Sequence, residues 1–232
     1  MSAGIGKIEV ALFAIGFAVA GLVLLALLWS GAGAYADMAR ASGINGTTFI
    51  DDTTGRNVQL DLAALAEEHR VWSAYVTGGT ADLPPPGRFY TADELSHMTD
   101  VRHVFDGAKL LIPAGFFVMA IRLQRARAHS AEAMFRLVRD GGVAAGVAVA
   151  ALGIIAALAF EQAFLLFHEV FFPQGNFLFD PATSNLVRLY PDWYWQGITF
   201  RIGLSFIAVA AVVAVAASVG LRRARSTRLA DA

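Results

Sequence analysis

Apolar residues in this chain are grouped in long uncharged blocks rather than spread at a helical or strand period. The runs from Val10 to Trp29, Gly142 to Phe160 and Gly203 to Leu221 are continuous. A shorter run from Leu110 to Ile121 extends outward through Lys109, Gly107 and Asp106. A helix needs about 20 apolar residues to cross a hydrocarbon core of about 30 Å, so these blocks predict four membrane spans. The second contains Pro113; neighbouring helices can satisfy the backbone group that a proline frees, so a kink is expected there and not the end of the span. The first block also has features of a secretory signal, with Lys7 ahead of it and Ala34-Tyr35-Ala36 behind it. Its length exceeds the roughly 7–15 residues of a signal core and favours a retained anchor.

Arginine placement sets the orientation. Arg122, Arg125, Arg127, Arg136 and Arg139 lie between spans two and three, and Arg222, Arg223, Arg225 and Arg228 follow span four. The positive-inside rule puts both segments in the cytoplasm. The chain then divides into a cytoplasmic N-terminus with span one (1–30), an extracytoplasmic segment (31–106) ending in a helix that leads into span two (107–121), and a basic cytoplasmic loop (122–141). Span three (142–165), a second extracytoplasmic segment (166–201), span four (202–221) and a basic cytoplasmic tail (222–232) complete it. Both termini are expected inside.

The pattern changes between the first two spans. Thr47–Ile50 and Asn57–Leu60 are short β-prone runs around Thr54-Gly55, which suits a hairpin. Asp61 can cap a helix reaching about Tyr75, with Leu62, Leu65, Val71, Trp72 and Tyr75 near one face and Gly78-Gly79 ending it. Pro84-Pro85-Pro86-Gly87 forces an extended connector. Thr91-Ala92-Asp93-Glu94 has the spacing of a capping box, and Tyr90 with Leu95 supplies the hydrophobic staple. A helix starting there can run without a required break into span two and end near Arg122, carrying Asp100, His103 and Asp106 at three-residue intervals.

Composition agrees with a membrane protein: of 232 residues, 56% are hydrophobic and only 16% charged, with no Cys and a mean hydropathy of +0.55. The near-zero formal charge of −1 argues against a nucleic-acid partner, which needs a basic surplus. Split by side, that charge is polarised: the segments assigned to the cytoplasm hold ten basic against four acidic residues, and the remainder eight against fifteen. The absence of Cys removes thiol nucleophiles, disulfides and thiolate metal sites, leaving His, carboxylates, hydroxyls and Arg/Lys for chemistry.

Two histidines stand out by position. Counting outward from Arg122 at 1.5 Å per residue places His97 about 37 Å up, and counting from Arg139 places His168 about 43 Å up if that helix continues so far. Both belong at the outer face. His168 sits in Phe167-His168-Glu169-Val170-Phe171-Phe172, an imidazole among aromatic rings. The aromatics by themselves, including Tyr190, Trp193, Tyr194 and Trp195, read as an interfacial belt, whereas a titratable imidazole at that depth reads as functional. His69 and His129 lack supporting neighbours and read as solvated surface residues. No H-E-x-x-H arrangement and no His pair at i, i+4 occurs, and the six-residue spacing of His97 and His103 puts their rings on different faces. No catalytic metal is therefore expected. The lack of a Gly-x-Ser-x-Gly elbow weakens a serine hydrolase. Spans one, three and four carry no polar group at their centres, which argues against transport. A non-enzymatic membrane scaffold or transporter-associated module stays open beside an enzyme.

Three stretches resemble the bacterial lipoprotein intramolecular transacylase (Lit) family of integral membrane proteins. They are Glu94-Leu95-Ser96-His97-Met98-Thr99-Asp100-Val101-Arg102; Phe167 to Phe172 with Gly175-Asn176-Phe177-Leu178-Phe179-Asp180-Pro181; and Leu189-Tyr190-Pro191 to Trp195. The resemblance implies a polytopic α-helical protein of the bacterial cell membrane, with four transmembrane helices and a small, partly β, extracytoplasmic α+β cap built from the two outer segments. It implies an acyltransferase without a cofactor, whose partners are a diacylglyceryl-modified lipoprotein and membrane lipid. The sn-2 acyl chain would move from the modified N-terminal Cys of the substrate to that residue's own α-amino group, giving a lyso-form lipoprotein. The family's paired histidines would be His97 and His168, one as base toward the amine and the other as acid toward the glycerol oxygen. Two imidazoles near neutral pKa suit that division of proton work. Asp100 or Asp180 is a candidate to orient an imidazole, and Arg102 or Asn176 to hold the oxyanion or the glycerol backbone.

Overall fold

The computed structural model describes residues 6–84 and 88–230, with side chains as far as 226. Most of the proline connector, residues 85–87, lies outside the described residues, as does the Arg228 side chain. In chain order the elements are α1 (Lys7–Trp29), α2 (Ala32–Ala41), β1 (Gly46–Ile50), β2 (Asn57–Asp61), α3 (Leu62–Val76), α4 (Ala92–His129), α5 (Ala131–Leu158), α6 (Phe160–Phe171), α7 (Asn185–Leu189) and α8 (Asp192–Ala230). Among the described residues, α1, α4, α5 and α8 are the helices long and apolar enough to cross a membrane. The helix leading out of the capping box does continue through Pro113, as one 38-residue element. Two compact units result: Met1–Leu25 with Lys109–Ile155 and Ile202–Ala232, and Ala26–Ala108 with Ala156–Arg201.

The first unit is a helical bundle. Lipid tails are as apolar as Leu, so helix association there depends on close packing. Phe13, Ala126 and Leu137 form one buried cluster, and Ala14, Ala145, Val149, Phe206 and Ala210 form another. Gly16 and Gly115 let α1 and α4 meet backbone to backbone: a Cβ on Gly115 would lie 2.6 Å from the Gly16 carbonyl oxygen. Leu110, Phe117, Val147 and Leu152 remain exposed, as lipid-facing residues must. Glu9 pairs with Arg122 at 3.1 Å and Arg125 at 3.3 Å, and Glu132 takes both Arg136 and Arg225.

Residues 122–141, expected as a loop, are instead two helix ends meeting at Ser130, whose hydroxyl accepts from the Ala133 N–H at 3.0 Å. Arg, Leu and Ala are strong helix formers and Ser is a good N-cap, so this stretch has no reason to unwind elsewhere. The count from Arg139 to His168 likewise does not follow one straight helix. Ala159, at φ −137° and ψ 49°, separates α5 from α6.

The second unit is α+β. The hairpin forms in the expected place, β1 against β2 antiparallel with Thr48 opposite Gln59. Its turn is braced by the Asp51 carboxylate, which accepts from the Thr53 and Thr54 amides. Asp61 caps α3 by accepting from Ala64 N at 2.8 Å. Helices α2 and α7 were not legible in the sequence pattern. Asn185, at the start of α7, accepts from the Ile50 N–H and donates to the Ile50 and Phe89 carbonyls, tying the hairpin to the chain that enters α4. Trp72, Tyr35, Phe49, Leu65 and Leu189 fill the core of this unit.

His69 is not a solvated surface residue. It is 2% exposed, stacks on Tyr35 with centroids 4.6 Å apart and engages both ring nitrogens. Nε2–H donates to the Ser30 carbonyl at 3.0 Å, and Nδ1 accepts from the Tyr190 hydroxyl at 3.2 Å. The Ser30 carbonyl, which also accepts from Ser73 Oγ, lies just past α1, where a helix leaves carbonyls without intrahelical partners. His69 answers that local need, which no sequence neighbour reveals. His129 is exposed.

Candidate active site

The capping box puts His97 on the second turn of α4. The Thr91 N–H donates to Glu94 Oε2 at 2.9 Å and Glu94 N–H to Thr91 Oγ1 at 3.2 Å, closing the box reciprocally. The other Glu94 oxygen does something the sequence did not announce. Oε1 accepts from Ser184 Oγ at 2.5 Å and from Leu186 N at 2.8 Å, so a carboxylate only 1% exposed fastens the start of α4 to the start of α7.

His168 comes from α6, with its ring centroid 6.1 Å from that of His97 and the planes 22° apart. The two sequence-predicted histidines, 71 positions apart in the chain, are therefore side by side, 6% and 7% exposed. Phenylalanines wall them in. Phe164 lies 4.1 Å and Phe177 5.2 Å from the His168 ring, Phe179 lies 5.6 Å from His97, and Phe172 touches both, at 4.8 Å and 5.4 Å. Phe164 was missed at the sequence level, although its i−4 spacing on a helix places it on the same face as His168. The aromatics of the last segment divide: Tyr194 is buried, and Tyr190 and Tyr194 pack around Tyr35 and His69, while Phe167 and Phe171 stay exposed.

His168 Nδ1 lies 2.8 Å from the Phe164 carbonyl. A carbonyl only accepts, so Nδ1 carries the proton and the Nε2 lone pair is free. Burial lowers the His168 pKa, with the Phe164 carbonyl opposing. The ring is accordingly neutral and basic near pH 7, in surroundings that disfavour a lasting imidazolium.

The remaining candidates separate by position. Asp100, one turn beyond His97, accepts through Oδ2 from both Asn176 Nδ2 and Gln174 Nε2 at 2.7 Å. Asn176 itself sits beside the His97 ring. Gly175, at φ +77°, makes the turn between them, a conformation that costs an L residue about 1–2 kcal/mol. Arg102 points elsewhere: it donates to the Thr80 carbonyl at 2.7 Å, lies over the Tyr75 ring at 4.7 Å and approaches Asp106 at 3.8 Å. The exposed Asp180 orders a turn, its carboxylate accepting from Ala182 N at 2.8 Å and its carbonyl from Ser184 N at 2.8 Å. It holds Ser184 toward Glu94 and contacts neither imidazole. Among the described residues no group of three or more His, Cys, Asp or Glu side chains could hold a metal ion.

A polytopic helical membrane protein with a small α+β unit, in which two buried imidazoles lie side by side among phenylalanines, is the class these features define. The sequence matches the family model of the lipoprotein intramolecular transacylase Lit over residues 11–195, and the chain belongs to that family. Its fold is similar to the crystal structure of the membrane-integral lipoprotein intramolecular transacylase Lit from Bacillus cereus, with a TM-score of 0.72 at 14% identity, covering 95% of this chain and 97% of that one. Two variants of the Bacillus cereus protein match similarly. One has a histidine replaced by alanine (TM-score 0.71, 15% identity, 95% of each chain) and the other a histidine replaced by arginine (0.68, 14%, 95% and 94%). No curated protein matches the sequence.

Proposed function

We propose that this chain is a lipoprotein intramolecular transacylase that moves the sn-2 acyl chain of a diacylglyceryl-modified N-terminal Cys to the α-amino group of the same residue. The observation that carries this reading is the buried His97–His168 pair, 6.1 Å between centroids, in a chain of this family. The chemistry requires two bases in succession. The α-amino group, with a pKa of about 8, arrives largely as an ammonium and must lose one proton before its nitrogen can attack the ester carbonyl. The C–N bond forms, the tetrahedral adduct loses a second proton from nitrogen, and the C–O bond breaks as one of those protons passes to the departing glycerol oxygen. An amide and an alcohol result, with one proton released to solvent per turnover. Two adjacent imidazoles can take the first proton on one ring and relay the second through the other. Donor and acceptor belong to one molecule, so holding the substrate folded supplies much of the rate.

The positive-inside pattern supports a topology with both termini in the cytoplasm and the histidine pair on the extracytoplasmic side of the bacterial membrane.

The test is conversion of a diacylglyceryl lipopeptide by the reconstituted chain. Total mass does not change in an internal transfer, so tandem mass spectrometry must find the acyl group on the N-terminal fragment. Unchanged lipopeptide with verified folded protein overturns the proposal. His97→Asn and His168→Asn are each expected to abolish conversion, and full activity in both would remove the proton-transfer roles while leaving the function standing.

A further inference from the structure

A second pair of buried groups lies against the first. Among the described residues, five side-chain polar atoms are buried without a hydrogen-bond partner, and two of them, His97 Nδ1 and Asn176 Oδ1, belong to neighbouring side chains. Orphaned buried polar atoms are uncommon because each carries a desolvation cost. One of these is a ring nitrogen able to donate; the other is an amide oxygen that only accepts. The amide's other end is already committed. Asn176 Nδ2 donates to Asp100 Oδ2, and Gln174 Nε2 donates to the same oxygen. That bond fixes which way the amide faces, because a carboxylate accepts and cannot receive the carbonyl end. The Asp100–Asn176 bond joins α4 to the turn after α6, and Gly175 at φ +77° shapes that turn.

We infer that Asp100 and Asn176 form a positioning relay for His97: the Asp100 carboxylate sets the Asn176 amide, and the amide oxygen accepts the His97 Nδ1 proton, holding the ring with its Nε2 lone pair toward the substrate. The inference rests on the proposed transacylase reading for its kinetic consequence but not for its tautomer. His168 is held in the same protonation pattern by the Phe164 carbonyl. Both rings therefore wait as Nδ1–H tautomers with basic Nε2 atoms, and the resting pair holds no proton to donate. The acid that protonates the glycerol oxygen is then made during turnover, from a proton the substrate's own ammonium delivers.

Three variants of the full-length chain test this, each assayed for kcat, KM and the pH dependence of kcat on a diacylglyceryl lipopeptide. Asn176→Ala frees the ring and is expected to lower kcat about 100-fold with KM within about threefold, as for misorientation of a reacting group. Asn176→Asp sets a second carboxyl group against Asp100 Oδ2, 2.7 Å from the atom it replaces, so the two share one proton. The protonated oxygen keeps the bond to Asp100, the other still accepts from Nδ1, and much of the loss should be recovered with the pH profile close to that of wild type. Asp100→Asn leaves the amide free to turn over and should lower kcat by about tenfold, with no further loss when added to Asn176→Ala. A wild-type kcat and pH profile in Asn176→Ala overturns the relay. So does an Asn176→Asp variant that is as impaired as the alanine, the pattern of a merely structural residue. Ring ¹⁵N chemical shifts of His97 give a readout independent of activity: the Nδ1–H pattern in wild type, lost in Asn176→Ala. If the wild-type chain converts no lipopeptide, these shifts still decide the relay, which falls if His97 shows the Nε2–H pattern.

Discussion

Glu94 joins the two local structures that frame the site, and its removal is the most informative single perturbation of the fold. Its carboxylate receives Thr91 N–H, Thr91 Oγ1, Ser184 Oγ and Leu186 N–H. In Glu94→Ala the Leu186 N–H and the Thr91 N–H lose their acceptor at once. Each stranded donor costs about 1–3 kcal/mol, so the sum is about 2–5 kcal/mol once partial access of water to Thr91 is allowed for. For a protein of this size that is about 10 °C in apparent melting temperature. Glu94→Gln keeps one oxygen for Ser184 and Leu186 but turns an NH2 toward the Thr91 amide, so it should lose only about 1–2 kcal/mol. Thermal unfolding in detergent followed by near-ultraviolet circular dichroism gives the ranking wild type, glutamine, alanine, and amide hydrogen exchange gives the location. Leu186 should lose protection in Glu94→Ala while residues of the first unit do not. Because the second turn of α4 carries His97, the alanine variant should also convert lipopeptide poorly. An alanine variant that melts within about 2 °C of wild type, with Leu186 still protected, would refute the argument that this carboxylate fastens α4 to α7.

Other consequences are checked by simpler measurements. Burial lowers the His69 pKa to about 4 against about 6.5 in an unfolded chain. The unfolded state therefore takes up its proton first, and stability held above pH 6.5 should decline toward pH 4 by up to about 3 kcal/mol. His168, shifted in the same direction, adds to the decline. His69→Phe should flatten most of it, and an equally acid-labile variant would show that another group is responsible. Gly115→Leu drives a side chain into the Gly16 carbonyl and the Ala20 Cβ, 2.6 Å and 2.9 Å from the first added carbon, and should cost about 1–3 kcal/mol or more, read as a lower melting temperature. Asp61→Ala removes the cap of α3 and should cost about 1 kcal/mol, visible as faster exchange of the Ala64 amide.

What could be read from the sequence was local. The capping box at Thr91, the N-cap at Asp61, the hairpin around Gly55 and the four apolar blocks each express a rule acting over a few residues, and each appears where expected. The resemblance then supplied the pairing of His97 with His168, which no spacing rule could. What escaped was long-range satisfaction of polar groups. The second pair of donors to Glu94 comes from residues 184 and 186, the acceptor for His69 is a carbonyl 39 residues away, and the partners of Asn185 lie 96 and 135 residues off. His69 reads as solvated because it lacks supporting neighbours in sequence, yet a buried imidazole fully used at both nitrogens is as stable a solution as an exposed one. Arg102 is a candidate for the oxyanion or the glycerol backbone by its place in the Glu94–Arg102 stretch, and the Thr80 carbonyl and Tyr75 ring that occupy it are invisible without the fold.

The two histidines are held by different means, and the difference bears on the proposed chemistry. His168 bonds to a carbonyl of its own helix, four residues back, so the bond that sets its tautomer lies within α6, although Phe172 and Phe177 also pack against the ring. Under the proposed relay His97 depends on a side chain from another segment, Asn176, whose amide in turn donates to Asp100. Acyl transfer to an amine competes with transfer to water, and a phenylalanine enclosure favours the amine only while it stays dry. Phe172, Phe177 and Phe179 belong to the same stretch as Asn176. A substrate that opens this turn to thread its acyl chains past the rings would loosen His97, while His168 keeps its bond to the Phe164 carbonyl. Under the proposed reaction His168 is therefore the ring better suited to accept the first proton from the arriving ammonium, before the enclosure has reformed. His97, realigned when Asn176 returns, is the ring placed to govern collapse of the adduct. On that reading the aromatic wall and the polar relay act as one device, because the turn that brings Phe177 and Phe179 against the rings is also the turn that carries Asn176.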